Sequence, residues 1–77
     1  MISRLTPAQI QIMKDDIATA LVCNLINDYN YSLQDALDIL YTSKTFESLQ
    51  DSQTGLYYQS PGYVYSFIVD EIEATGQ

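Results

Sequence analysis

Apolar residues return every three or four positions along most of this chain, the spacing that lays one face of a helix against a core. The run is longest between Thr6 and Tyr29. At about 100° per residue, Ile10, Met13, Ile17, Ala20 and Leu21 share a face, Val22 and Leu25 extend it, and Ile12, Cys23 and Ile26 point elsewhere. Polar residues (Gln11, Lys14, Asp15, Asp16, Thr19) fill the gaps mainly in the first half, so the second half is apolar on nearly every side. Such a helix must be covered on more than one side. The pattern predicts a central helix on which the others pack, and it leaves open that one face closes against a second copy of the chain.

The start of this helix is well signalled. Thr6 suits the N-cap, and Gln9 can reach back to its backbone N–H to complete a capping box. Pro7 falls at the first helical position, where it needs no donor. Leu5 ahead of the cap and Ile10 beyond it approximate a hydrophobic staple, and Ile2 is a further residue expected to pack on the bundle.

Asn30 tolerates the left-handed conformation that ends helices. Ser32 then opens a second helix, with Asp35 placed for a second capping box. Leu33, Ala36, Leu37, Leu40 and Tyr41 recur at helical spacing as far as Thr42, with Ile39 to one side. The short connection favours an antiparallel hairpin. Ser43 caps a third, shorter helix, Lys44 to Gln50, that should bury Phe46 and Leu49.

The cluster Asp51-Ser52-Gln53-Thr54-Gly55 is a turn. Leu56, Tyr57 and Tyr58 are expected to run extended; a strand there would need a second copy for pairing, or would lie across the bundle. Ser60-Pro61 repeats the Thr6-Pro7 signal and starts a last helix that runs to Ala74, before Gly76. Its inner stripe is Val64, Phe67, Ile68 and Ile72, with Tyr65 and Val69 at the margin. Asp70, Glu71 and Glu73 crowd its final turns, where the macrodipole disfavours each by about 0.3–1 kcal/mol. The expectation is a frayed end, unless something basic meets it. The fold class is therefore all-α: a small compact bundle of four helices, three longer and one short, around the N-terminal helix. Their spans are 7–29, 33–42, 44–50 and 61–74, within a single domain covering 1–77.

Composition narrows what such a bundle does. Ten acids stand against three bases, Arg4, Lys14 and Lys44, for a net charge of −7. Phosphate backbones and anionic membrane surfaces both call for clustered Lys and Arg, so neither nucleic acid nor membrane is an expected partner. The acidity reads as solubility, or as a negative face for a basic partner. No secretory signal is legible: Asp15 and Asp16, not a basic region, precede the apolar run, which is also too short to span a bilayer. The expected compartment is the cytoplasm, where the unpaired Cys23 would stay reduced. With one Cys and no His, neither a disulfide nor a zinc staple is available, and Cys23 reads as a small core residue. A chain of 77 residues buries only about 60–65% of its unfolded surface, so close packing or oligomerisation must supply the stability.

The search for chemistry is negative. Lacking His, the chain has no Ser-His or Cys-His pair. Asp35 with Asp38, and Asp70 with Glu71, are carboxylate pairs, but both fall on faces marked as exposed by periodicity. An enzyme would need one such carboxylate in a cleft with a raised pKa. The Asp51–Gly55 turn fails as a calcium loop, because Leu56 stands where its Gly belongs and Gly62 where its bidentate Glu belongs. No glycine-rich phosphate loop occurs. Catalytic, metal and cofactor residues are accordingly assigned as none, and an enzyme is not expected.

Tyrosine is the compositional anomaly, with seven at 29, 31, 41, 57, 58, 63 and 65. A large apolar ring with a polar tip seals the edge of a small core or serves in an interface. Both readings stand. The candidate interface is Leu56, Tyr57, Tyr58, Tyr63 and Tyr65.

The segment from Ala36-Leu37 through Leu40-Tyr41 and Ser43 to Thr45-Phe46, followed by Thr54-Gly55-Leu56-Tyr57, Gln59-Ser60-Pro61 and Tyr63-Val64-Tyr65, resembles a group of short, uncharacterised bacterial proteins. These are domain-of-unknown-function families common in gut anaerobes. The likeness covers roughly the second half of the chain. Such families have no assigned activity, so it implies no site residues. Some of their reading frames lie near toxin–antitoxin-like genes, which implies a binding role. The functional expectation is a protein–protein interaction module that self-associates as a homodimer. The alternative is an antitoxin- or immunity-like regulator that blocks a basic partner.

Overall fold

Local caps and one apolar seam per helix account for most of the architecture. The computed structural model describes residues 5–74; Ile2 and Gly76 lie outside them. Four helices follow one another: α1 (Pro7–Tyr29), α2 (Leu33–Thr42), α3 (Lys44–Gln50) and α4 (Pro61–Ala74). Two single 3-10 turns, Ser52–Thr54 and Leu56–Tyr58, join α3 to α4. Among the described residues there is no strand.

The capping box at Thr6 is complete: the Gln9 N–H donates to Thr6 Oγ1 at 3.1 Å, and the Thr6 N–H to Gln9 Oε1 at 2.8 Å. At the other end Asn30 takes φ +58°, the left-handed value that turns the chain toward α2. The box expected at α2 is only half made, because Ser32 Oγ accepts from the Asp35 N–H without a return bond from Ser32. Ser60 caps α4 through the Tyr63 N–H.

α1 is the axis, and α2, α3, α4 and the Leu56–Tyr58 turn all contact it. The core joins Ile17, Leu21 and Leu25 of α1 to Ala36 and Leu40 of α2, Leu49 of α3, Tyr57, and Val64, Ile68 and Ile72 of α4. Leu5, Ile10, Phe46 and Tyr65 pack half-buried against it.

Several expectations are corrected, and helical geometry supplies the reasons. Cys23 is exposed, not a core residue. It lies about 200° around α1 from Leu21, on the outer side with Ile12. Lys14, read as a polar gap-filler, is buried, because it falls on the same stripe as Ile17 and Leu21. Phe67 is 37% exposed, being about 100° off the Val64–Ile68–Ile72 seam and so on the flank of α4. Tyr41 is exposed for the same reason on α2, and Leu33 is exposed at the first position of that helix. Leu56–Tyr58 is not extended. Gly55, at φ +72°, reverses the chain, and the Tyr58 and Gln59 N–H groups then bond back to Gly55 and Leu56. With the Leu56, Tyr58 and Gln59 donors used locally, the segment is a turn and not a strand.

Candidate functional site

α3 borders one of the larger surface features of the bundle, and it is held mostly by residues far from it in sequence. Seven residues are too few to be stable as an isolated helix. Each of its first N–H groups nevertheless has an acceptor. The Ser43 N–H donates to Leu40 O at 3.1 Å, and the Phe46 N–H to Ser43 Oγ at 3.0 Å. The two between them, Lys44 and Thr45, donate to the Glu71 carboxylate of α4 at 2.8 and 2.9 Å. The Thr45 hydroxyl, itself on a buried residue, also donates to Glu71 Oε2.

The opposite end is closed by α1, where Lys14 Nζ donates to Gln50 O at 2.6 Å. Lys14 is only 7% exposed, so its stem is packed while its charge meets the negative end of the α3 dipole. Thr54 Oγ1 donates to Ser48 O at 2.6 Å and ties the following turn to the same end.

Glu71 thus has a role the acidic end of α4 did not announce. α4 stays helical through Ala74 with Asp70, Glu71 and Glu73 inside it, so the expected fraying does not occur over the described residues. Burial pushes the Glu71 carboxyl up, but hydrogen bonds from the Thr45 hydroxyl and the Lys44 and Thr45 N–H groups, with the Lys44 charge, outweigh it. The net result lies below the ordinary value. Of the two acid pairs, Asp35, Asp38 and Asp70 are exposed as expected, and Glu71 alone is drawn in.

Glu71 also stands between two clefts. One, of about 360 Å³, is lined by Lys44, Thr45, Leu56, Phe67 and Glu71 with two further hydroxyl residues. The other, of about 420 Å³, lies between α2 and α4 and includes Tyr31, Asp35, Asp38, Ile39, Ile68 and Ile72. Among the described residues no three His, Cys, Asp or Glu side chains converge as a metal site would require.

The tyrosines divide. Tyr57 is 8% exposed and belongs to the core, and burial, with a hydrogen bond involving Tyr58, pushes its phenol up. Tyr65 is half-buried; its hydroxyl donates to Asn24 O at 3.2 Å, and burial followed by the nearby Asp28 raises its pKa. Tyr29 and Tyr31 stack with centroids 5.2 Å apart, and burial followed by Glu73 raises the Tyr29 phenol. The Tyr29, Tyr57 and Tyr65 phenols, all raised, remain neutral at ordinary pH. Of the candidate interface residues, Tyr57 is therefore withdrawn into the core, Leu56 and Tyr65 are half-buried, and Tyr58 and Tyr63 remain outside, 63% and 51% exposed.

Phe67 joins Tyr63: their rings meet edge to face at 5.1 Å on the flank of α4, and Phe67 forms part of the first cleft. Phe67, Glu71 and Lys14 were not legible in the sequence as residues that organise this region. A signal existed for Lys14, which repeats at the i, i+3, i+7 spacing of Ile17 and Leu21.

No helix of the described residues is long and apolar enough to cross a membrane. Compared with protein-family models, curated proteins and solved structures, the chain finds no match in any of the three.

Proposed function

We infer that this chain is a protein–protein interaction module that self-associates as a homodimer through the flank of α4. The observation that carries the reading is the exposed Tyr63–Phe67 pair beside the Leu56-lined cleft. Rings in edge-to-face contact on the surface are preformed apolar area with little side-chain freedom left to lose. A two-fold interface uses one patch twice, so the patch must suit itself. A phenol hydroxyl both donates and accepts, and neither ring of the pair is charged. The carboxylate in the adjoining cleft, Glu71, is already bonded by the Lys44 and Thr45 N–H groups.

Light scattering coupled to size exclusion tests it. A mass of twice 8.7 kDa is expected, returning to 8.7 kDa in the Tyr63→Ser/Phe67→Ser variant, which alters exposed positions only. A wild-type mass that stays at 8.7 kDa up to millimolar concentration sinks the reading.

A second reading, a regulator that blocks a basic partner, is favoured by one observation. Lys14 is spent on Gln50 O and Lys44 stands beside Glu71, so exposed carboxylates outnumber exposed cations among the described residues. In that reading the protein acts as an antitoxin- or immunity-like inhibitor, and co-purification that weakens with salt is its mark.

A further inference from the structure

The cleft between α2 and α4 brings apolar and acidic residues together. Ile39, half-buried, gives it an accessible apolar wall, while Ile68 and Ile72, which also line it, are closed off from solvent. Asp35 and Asp38, one turn apart on α2 and both exposed, stand over that wall, and Tyr31 adds a ring. At about 420 Å³ it lies within the range of sites that take a discrete group, yet it is half-open.

We propose that this cleft docks a cationic amphipathic segment of another protein. The stem of a Lys or Arg would lie on Ile39 and its charged end would meet Asp35 and Asp38. The match is one of charge and shape together. A long basic side chain keeps its methylenes on apolar surface and its tip in polar surroundings, and this cleft offers both at one place. The field of a chain at −7 steers such a segment in.

A second copy of this chain is a poor occupant. It brings three bases against ten acids, and Lys14 of those bases is already buried against Gln50. Glu71 borders both clefts, but Tyr63 and Phe67 do not line this one, so self-association and this docking can fail separately.

The test uses the full chain and a fluorescent peptide of roughly four helical turns, Leu on one face and Lys on the other, followed by anisotropy. The Asp35→Asn/Asp38→Asn variant should weaken binding about tenfold, the scale of two partly exposed ion pairs. The Asp15→Asn/Asp16→Asn variant makes the same charge change on exposed positions of α1, and should weaken it less than about twofold if the cleft is the site. Equal losses in the two variants would mean that only net charge is sensed, and would overturn the proposal. So would a lysine-only peptide binding as tightly as the amphipathic one, or no binding by either. Displacement of the peptide by free arginine at matching concentration would mark a small-cation site instead, and would overturn it as well.

Discussion

The 23 residues of α1 carry their own start and stop signals, whereas the seven of α3 take most of theirs from the rest of the fold. Thr6, Pro7 and Gln9 begin α1 and Asn30 ends it, all within one residue of its limits or one turn inside them. In α3, Glu71 of α4 receives the Lys44 and Thr45 donors 27 and 26 residues away, and Lys14 of α1 reaches Gln50 across 36. Length is the cause. A helix of six turns spreads the cost of its nucleus over many bonds, while one of two turns is nearly all ends. Two charges of opposite sign, set at the correct ends of the dipole, do for α3 what extra turns do for α1. The consequence for function is that Glu71, which divides the two clefts, is placed by a structural duty.

The sharpest test asks whether α3 is as much a part of the core as α1. Leu21 and Leu49 are the same side chain with no exposure, one in each helix. Leu21→Ala and Leu49→Ala should each destabilise the protein by about 3 kcal/mol in urea unfolding. A Leu49→Ala loss below about 1 kcal/mol would make α3 an appendage, and the comparison would fail.

Glu71→Gln comes next, since it removes the charge from three hydrogen bonds; a loss of about 2 kcal/mol at neutral pH is expected. The pH dependence has a definite sign. The folded Glu71 pKa lies below its ordinary value of 4.5, so its contribution is present above that value and is lost as pH falls through the folded pKa. Stability curves of wild type and Glu71→Gln should therefore converge on acidification below 4.5. Parallel curves down to the acid transition would show that the carboxylate charge is not what holds α3.

Lys14→Met keeps the packed stem and deletes the ammonium, and should cost about 1–1.5 kcal/mol, with hydrogen exchange rising first in α3 rather than α1. Thr6→Ala is the local counterpart. Losing that cap should cost about 1 kcal/mol and raise exchange only in the first turn of α1. If Lys14→Met loosened α1 and left α3 alone, the assignment of Lys14 to the end of α3 would be wrong.

Much of this molecule could be read from residue order. The four helical spans, the Ser and Thr caps, the left-handed Asn30 and the seams through Leu21, Leu40 and Ile68 all follow from signals within a few residues of where they act. The surface was less legible. Phe67 read as core because a stripe about 100° wide has margins, and only the position of α3 shows which margin is left open. Tyr57 and Tyr58 are neighbours of identical type, and the turn that starts at Gly55 sends one inward and the other out.

Periodicity and capping therefore determined the elements and the all-α class, because both depend on side chains and backbone groups no more than a turn or two apart. Tertiary structure decided what each charge and each marginal ring is for. Whether Glu71 is a liability at the end of α4 or the cap of α3 depends on which helix end lies opposite it. That is a matter of crossing and register between helices, to which a one-dimensional pattern of apolar positions is blind.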